Sequence, residues 1–184
     1  MLPSREECLA LLEKYELPEH IVRHSLEVEK VAVYLAKKLL EAGEQIDVDL
    51  VSRAAILHDL DKMKSLEVGS GHGTISRKIL EKEGLPKLGL IAFKHHLSIV
   101  LGSSPFQTWE EKIVYYADKR VNHDQIVSLG ERFKYLLERY GKEAKIVEKI
   151  SSCKPRVEGL EKEIFNKLNI DSSLSELKSL SESK

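Results

Sequence analysis

Apolar residues along this chain recur at intervals of three and four, and no run alternates with a period of two, so the pattern predicts an all-helical protein. A short first helix spans about Ser4 to Tyr15 and breaks at Leu17-Pro18, and a second runs to about Ala42, where Gly43 stops it. Asp47 caps a third helix carrying Val51, Ala54 and Ala55, which ends near the acidic cluster after Leu57. Gly69-Ser70-Gly71 opens another helix at His72, and Gly84-Leu85-Pro86 closes it and starts the helix leading to His95-His96. Leu101 to Pro105 reads as a loop, and Thr108-Trp109-Glu110-Glu111 reads as a capping box. Two or three amphipathic helices follow from Asp124, with Phe133, Leu136, Ile150, Leu160 and Ile164 on their inner faces. The final segment, SSLSELKSLSESK, is too polar to pack and is expected to be disordered.

The chemistry enters through what shares the apolar stripes. His24 lies on the face Ile21, His24, Val28, Val31, Leu35, His58 extends Val51, Ala54, Ala55, and Asp118 lies among Val114, Ala117 and Val121. His72 precedes Ile75 and Ile79, and His95 follows Leu88, Ile91 and Ala92. Taken singly, a histidine on such a face is more often a hydrogen-bonded core residue than a ligand. A carboxylate is harder to place there, because an unpaired charge in an apolar interior costs several kcal/mol. No Lys or Arg shares these stripes, so Asp59 and Asp118 call for a cation, and an imidazole and carboxylate set suits Mn, Fe, Co, Ni or Zn.

Composition narrows the partner. Twenty-nine basic against thirty acidic residues leave a net charge of −1, which provides no general attraction to nucleic acid or an anionic membrane, so a small molecule fits better. Cys8 and Cys153 have neither metal-site spacing nor a disulfide pattern and read as reduced thiols in a cytoplasmic protein. No segment approaches the ~20 apolar residues of a membrane span. With 184 residues, one core and a short appendage are expected.

The order His24, His58-Asp59, Asp118, with AILHDLDK around the pair and YYADKR around the last aspartate, resembles the HD-domain superfamily of metal-dependent phosphohydrolases. The resemblance covers about residues 18–125 and implies an orthogonal bundle of helices in which those four residues bind a metal. It divides the chain into an N-terminal helix (1–17), the core (18–125), a helical extension (126–172) and a tail (173–184). His72-Gly73 and His95 resemble the extra histidines of the members that hold a second metal, with Asp59 bridging the two ions and His96 as an alternative or companion to His95. Those members include enzymes acting on cyclic dinucleotides and on diadenosine tetraphosphate, but the G-Y-P signature of the former is absent after His96. Asp61 stands where the family commonly has glycine and reads as a solvated helix-end residue. The activity implied is hydrolysis of a phosphoester or phosphoanhydride in a nucleotide-like molecule, with Asp59 and Lys62 at the reacting centre and Lys62 and Arg120 holding phosphate. Two further readings remain: a di-iron oxygenase of the same superfamily, and a nucleotide-sensing module without turnover. His123-Asp124 reads as a helix junction, His20 as exposed, and Trp109, Tyr115 and Tyr116 as packing. The C-terminal helices could form a homodimer, extend the pocket wall or bind another protein.

Overall fold

The computed structural model describes residues 1–69 and 71–182; Ser70 of the expected glycine-rich turn lies outside the described residues. The protein is all-α apart from one two-residue ladder. Helices α1 (Arg5–Lys14), α2 (Glu19–Glu41) and α3 (Val48–Leu57) begin where the capping residues place them: Ser4 forms a capping box with Glu7, and the Asp47 carboxylate accepts from Leu50 N. A short helix that the pattern did not announce, α4 (Lys62–Val68), follows the His58-Asp59 pair. Then come α5 (Thr74–Lys82), α6 (Pro86–Lys94), a 3-10 helix (Leu97–Leu101) and α7 (Trp109–Lys119).

The centre of the molecule is α2, packed against α3 on one side and α7 on another, with Val28, Val31, Leu35 and Leu39 fully buried. Helix α5 packs closely on α6 because Gly89 lacks a side chain, so that a Cβ there would lie 3.0 Å from the Arg77 carbonyl oxygen. Gly73 is required in the same way: its φ of 80° is disfavoured for other residues, and a Cβ would meet Phe93 O at 3.1 Å.

His123-Asp124 is not a helix junction but the turn of a small hairpin, β1 (Val121–Asn122) paired antiparallel with β2 (Gln125–Ile126), with His123 at φ 55°. The strands are too short to show alternation. Helix α8 (Leu129–Tyr140) starts at a Ser128–Glu131 capping box, and α9 (Ala144–Leu168) continues through Pro155 and packs on α8 and the 3-10 helix. Residues 173–182 differ from the expected disorder: α10 (Ser175–Glu182) forms, and Leu174 and Leu177 bury their side chains, so two leucines suffice to dock a polar segment. Residues 183 and 184 lie outside the described residues. Among the described residues no helix is long and apolar enough to cross a membrane.

Candidate metal centre

Helix ends, rather than helix middles, assemble most of the site. His58 closes α3 and Asp59 follows in the turn, His95 closes α6, His72 sits in the turn before α5, and Asp118 occupies the last turn of α7. Only His24 projects from the body of a long helix, α2. The four imidazoles form a row, with ring centroids 5.4 Å apart for His24–His58, 4.9 Å for His58–His95 and 4.6 Å for His72–His95. Asp118 Oδ1 lies 3.2 Å from His24 Nε2 and 3.7 Å from His58 Nε2. Asp59 Oδ1 lies 3.2 Å from His72 Nε2 and 3.3 Å from His95 Nε2. Two overlapping ligand groups result, His24, His58 and Asp118, and His58, Asp59 and His95.

The protonation of the row follows from its outward contacts. His24 Nδ1 lies 2.7 Å from the His123 carbonyl oxygen and His58 Nδ1 2.7 Å from that of Ala55, while His95 Nδ1 faces the carbonyl of Ala92. His72 Nδ1 lies 2.8 Å from Asp61 Oδ1. Carbonyl and carboxylate oxygens only accept, so each Nδ1 carries a proton and Nε2 is the ring nitrogen turned inward as the potential metal ligand. Burial would lower His72, but the carboxylates Asp59 and Asp61 outweigh it and raise the ring to about 9, so a metal there would displace a proton from its Nε2. The inward Nε2 atoms lie close together, those of His72 and His95 sharing a hydrogen bond at 2.9 Å, and they face two carboxylates. His58 Nε2 and Asp59 Oδ1 are buried and have no hydrogen-bond partner. Cations held in the two ligand groups would satisfy these atoms, and the outward hydrogen bonds are the kind that orient metal-binding histidines.

Charge around the cluster qualifies one expectation. Cationic side chains do reach the inner carboxylates: Lys62 Nζ is 3.2 Å from Asp59 Oδ2, Lys119 Nζ contacts Asp118 Oδ2 and donates to the His95 carbonyl at 2.8 Å, and Arg132 Nη2 is 3.9 Å from Asp118 Oδ1. Lys62 opens α4, Lys119 is the last residue of α7, next to Asp118, and Arg132 comes from α8. Burial would raise both aspartates, but Lys62, His58 and the imidazoles of His72 and His95 hold Asp59 well below the carboxylate range, and Lys119, His24 and His58 do the same for Asp118. Burial dominates at His95 and pushes it down to about 4.

Three side chains stand elsewhere than the sequence placed them. His96 leaves the helix with ψ 134° and turns its Nδ1 to Ser98 Oγ at 3.3 Å, outside both ligand groups, because the chain changes direction between the two histidines. Arg120 is only 2 % exposed: its Nε donates to Val127 O at 2.7 Å and its Nη1 contacts Tyr116 Oη and Glu161. It braces α7 against α9 and is not available to phosphate. Asp61 is fully buried, its Oδ2 accepting from Gly73 N at 2.7 Å and Ser76 N at 3.1 Å while Oδ1 holds His72. The carboxylate thus caps α5 from a distance, and nothing in its local sequence announces this. The Thr108 box is half formed: Thr108 Oγ1 accepts from Glu111 N, but the Glu111 carboxylate turns to Gln107 N and Lys94. Tyr115 and Trp109 donate to Leu97 O and Glu44, and Tyr116 to Glu161, which accounts for them as packing residues.

A family model described as HD domain matches residues 21–129. The chain belongs to the HD-domain family. The matched span holds all six residues of the row and its carboxylates and ends at the first residue of α8. An uncharacterized protein of Methanocaldococcus jannaschii is 32 % identical over 157 residues, covering 79 % of this chain and 91 % of that protein. Two proteins named tRNA (cytidine(56)-2'-O)-methyltransferase are also similar: that of Thermoplasma volcanium is 29 % identical over 71 % of this chain, and that of Picrophilus torridus 28 % identical over 76 %. This HD-domain chain spans about two fifths of the length of each methyltransferase (40 % and 41 %). No solved structure matches.

Proposed function

We propose that this HD-domain protein is a divalent-metal phosphohydrolase that cleaves a phosphoester or phosphoanhydride bond in a nucleotide-like small molecule. The observation that carries the proposal is the convergence of four inward-facing Nε2 atoms and two carboxylates, with His58 Nε2 and Asp59 Oδ1 unpartnered. His24, His58, Asp59 and Asp118 would hold one ion, and His72 and His95 with Asp59 a second, drawn from Mn, Fe, Co, Ni or Zn. Such ions supply Lewis acidity toward a phosphoryl oxygen and lower the pKa of water to near neutrality.

The protein's own groups do the rest. Asp59, which in this assignment would serve both ions, is the residue on which the whole arrangement depends. Lys62 Nζ fixes the outer oxygen of Asp59, and its side chain remains 29 % exposed, so it is within reach of a substrate phosphate arriving from solvent. His72 is equally exposed at 29 %. His24, His58 and His95 are buried and are held rigid by the carbonyls they donate to, which spares the site reorganisation when charge develops.

The test is metal analysis of the purified protein followed by a panel of nucleoside monophosphates, cyclic dinucleotides and dinucleoside polyphosphates. A tRNA belongs in the panel because two relatives are named for a tRNA-directed activity. Release of phosphate or nucleotide from one class, lost in Asp59→Ala, is the expected result; full activity in Asp59→Ala refutes the assignment. Bound iron with oxygen uptake and no phosphate release would replace it with an oxygenase. Stabilisation by nucleotide without turnover would replace it with a sensing module.

A further inference from the structure

Arg132 lies on α8, beyond the end of the family match at residue 129. Its side chain, 14 % exposed, crosses back to the metal centre and brings Nη2 to 3.9 Å from Asp118 Oδ1, beyond hydrogen-bond distance. Nη1 donates to Asn122 Oδ1 at 3.0 Å, and the guanidinium lies over the Tyr135 ring at 5.7 Å. Nε is buried and has no hydrogen-bond partner. The guanidinium is therefore anchored on one arm while its other edge, Nε with Nη2, keeps unused donors. Arg120 forms the contrast, with Nε and Nη1 spent on Val127 O, Tyr116 and Glu161.

A guanidinium edge of two parallel N–H groups matches two oxygens of a phosphoryl group, and leaving a buried N–H unsatisfied costs about 1–3 kcal/mol unless something occupies it. The neighbourhood selects an anion. Lys62 borders Asp59 on the far side of His58, whose Nε2 lies 3.9 Å from Asp59 Oδ2 and 3.7 Å from Asp118 Oδ1, so the two cations flank the same pair of carboxylates. Ions bound to those carboxylates would neutralise them and leave Lys62 and Arg132 as positive charge beside the ions.

We propose that Arg132, supplied by the helix added after the HD core, holds the substrate's phosphoryl group bidentately, opposite Lys62, and that Asn122 and Tyr135 position it. The proposal rests on the hydrolase reading for the identity of the anion. It assigns the helical extension a share of the binding site, with α8 as its wall.

The experiment loads the full-length protein with Mn and measures orthophosphate binding by calorimetry, with metal content and circular dichroism recorded for each variant. Arg132→Gln keeps its metal and fold and binds orthophosphate about 10- to 100-fold more weakly, the range for losing a charge-assisted pair. Arg132→Lys, which keeps the charge and the aliphatic stem, stays about tenfold weak because a point charge cannot replace the fork. Lys134→Gln, on the exposed face of the same helix, matches the unaltered protein. Orthophosphate affinity within about twofold of the unaltered protein in either Arg132 variant overturns the proposal, as does failure of the unaltered metal-loaded protein to bind phosphate. Loss of metal in Arg132→Lys overturns it in favour of a role in holding Asp118. Binding is read without turnover, so phosphate held through Arg132 in a protein that hydrolyses nothing refutes the hydrolase reading and leaves this one standing. A substrate hydrolysed with unchanged KM in Arg132→Gln does the reverse.

Discussion

Asp61 separates stability from metal binding in a single side chain. Its Oδ2 is the acceptor for two buried amides at the start of α5, Gly73 N and Ser76 N, and Gly73 offers that helix no side-chain cap of its own. Asp61→Ala leaves both amides without an acceptor, at about 1–3 kcal/mol each, or about 2–6 kcal/mol together. For a chain of this size that corresponds to a fall of roughly 4–24 °C in Tm. Asp61→Asn behaves differently, because its amide oxygen can still serve Gly73 and Ser76 while its NH2 replaces Oδ1 opposite His72. The carboxamide then donates to His72 Nδ1, the ring proton moves to Nε2, and the lone pair that a metal would take there is lost. Affinity at the His72 half of the site should fall about 10- to 100-fold, the usual effect of removing the partner that orients a ligand histidine. Calorimetric metal titration alongside thermal unfolding reads both quantities. Asp61→Asn with unaltered metal stoichiometry and affinity would refute the tautomer argument, and Asp61→Ala with an unaltered Tm would refute the capping argument.

Other consequences are as direct. Arg120→Met should lower stability by about 2 kcal/mol or more by stranding Val127 O, Tyr116 and Glu161, yet leave orthophosphate affinity unchanged; denaturant unfolding and calorimetry check the two halves. Removing metal with a chelator should lower Tm: an ion at one hundred times its Kd stabilises by about 2.7 kcal/mol, or roughly 5–10 °C here, and scanning calorimetry with and without added Mn measures the difference. Cys8 is fully buried, and burial pushes its thiol up to about 11, so the native protein should resist alkylation at that position at pH 8, as peptide mapping would show. Because its folded pKa is raised, its contribution to stability is complete below the unfolded value near 9 and is lost as pH rises toward 11; Cys8→Ser should flatten unfolding free energy over that window.

The local pattern sufficed for the all-helical fold, for the start of α1 near Ser4 and the cap at Asp47, and for the inward direction of His24, His58 and Asp118, since all of these depend on residues within a few positions of one another. The same local logic reached His72 and His95 but could not divide His95 from His96, because the bend that parts them is made by the chain beyond. It misplaced Arg120 and Asp61 for a shared reason. Whether a charge faces solvent or a buried amide depends on what arrives from elsewhere, here Glu161 on α9 and the start of α5. The His123 carbonyl that fixes His24 and the Arg132 guanidinium that approaches Asp118 come from a hairpin and a helix whose own sequences carry no sign of chemistry. The candidate ligands were thus encoded by periodicity along single helices, whereas their hydrogen-bond partners and counter-charges were decided only when those helices packed.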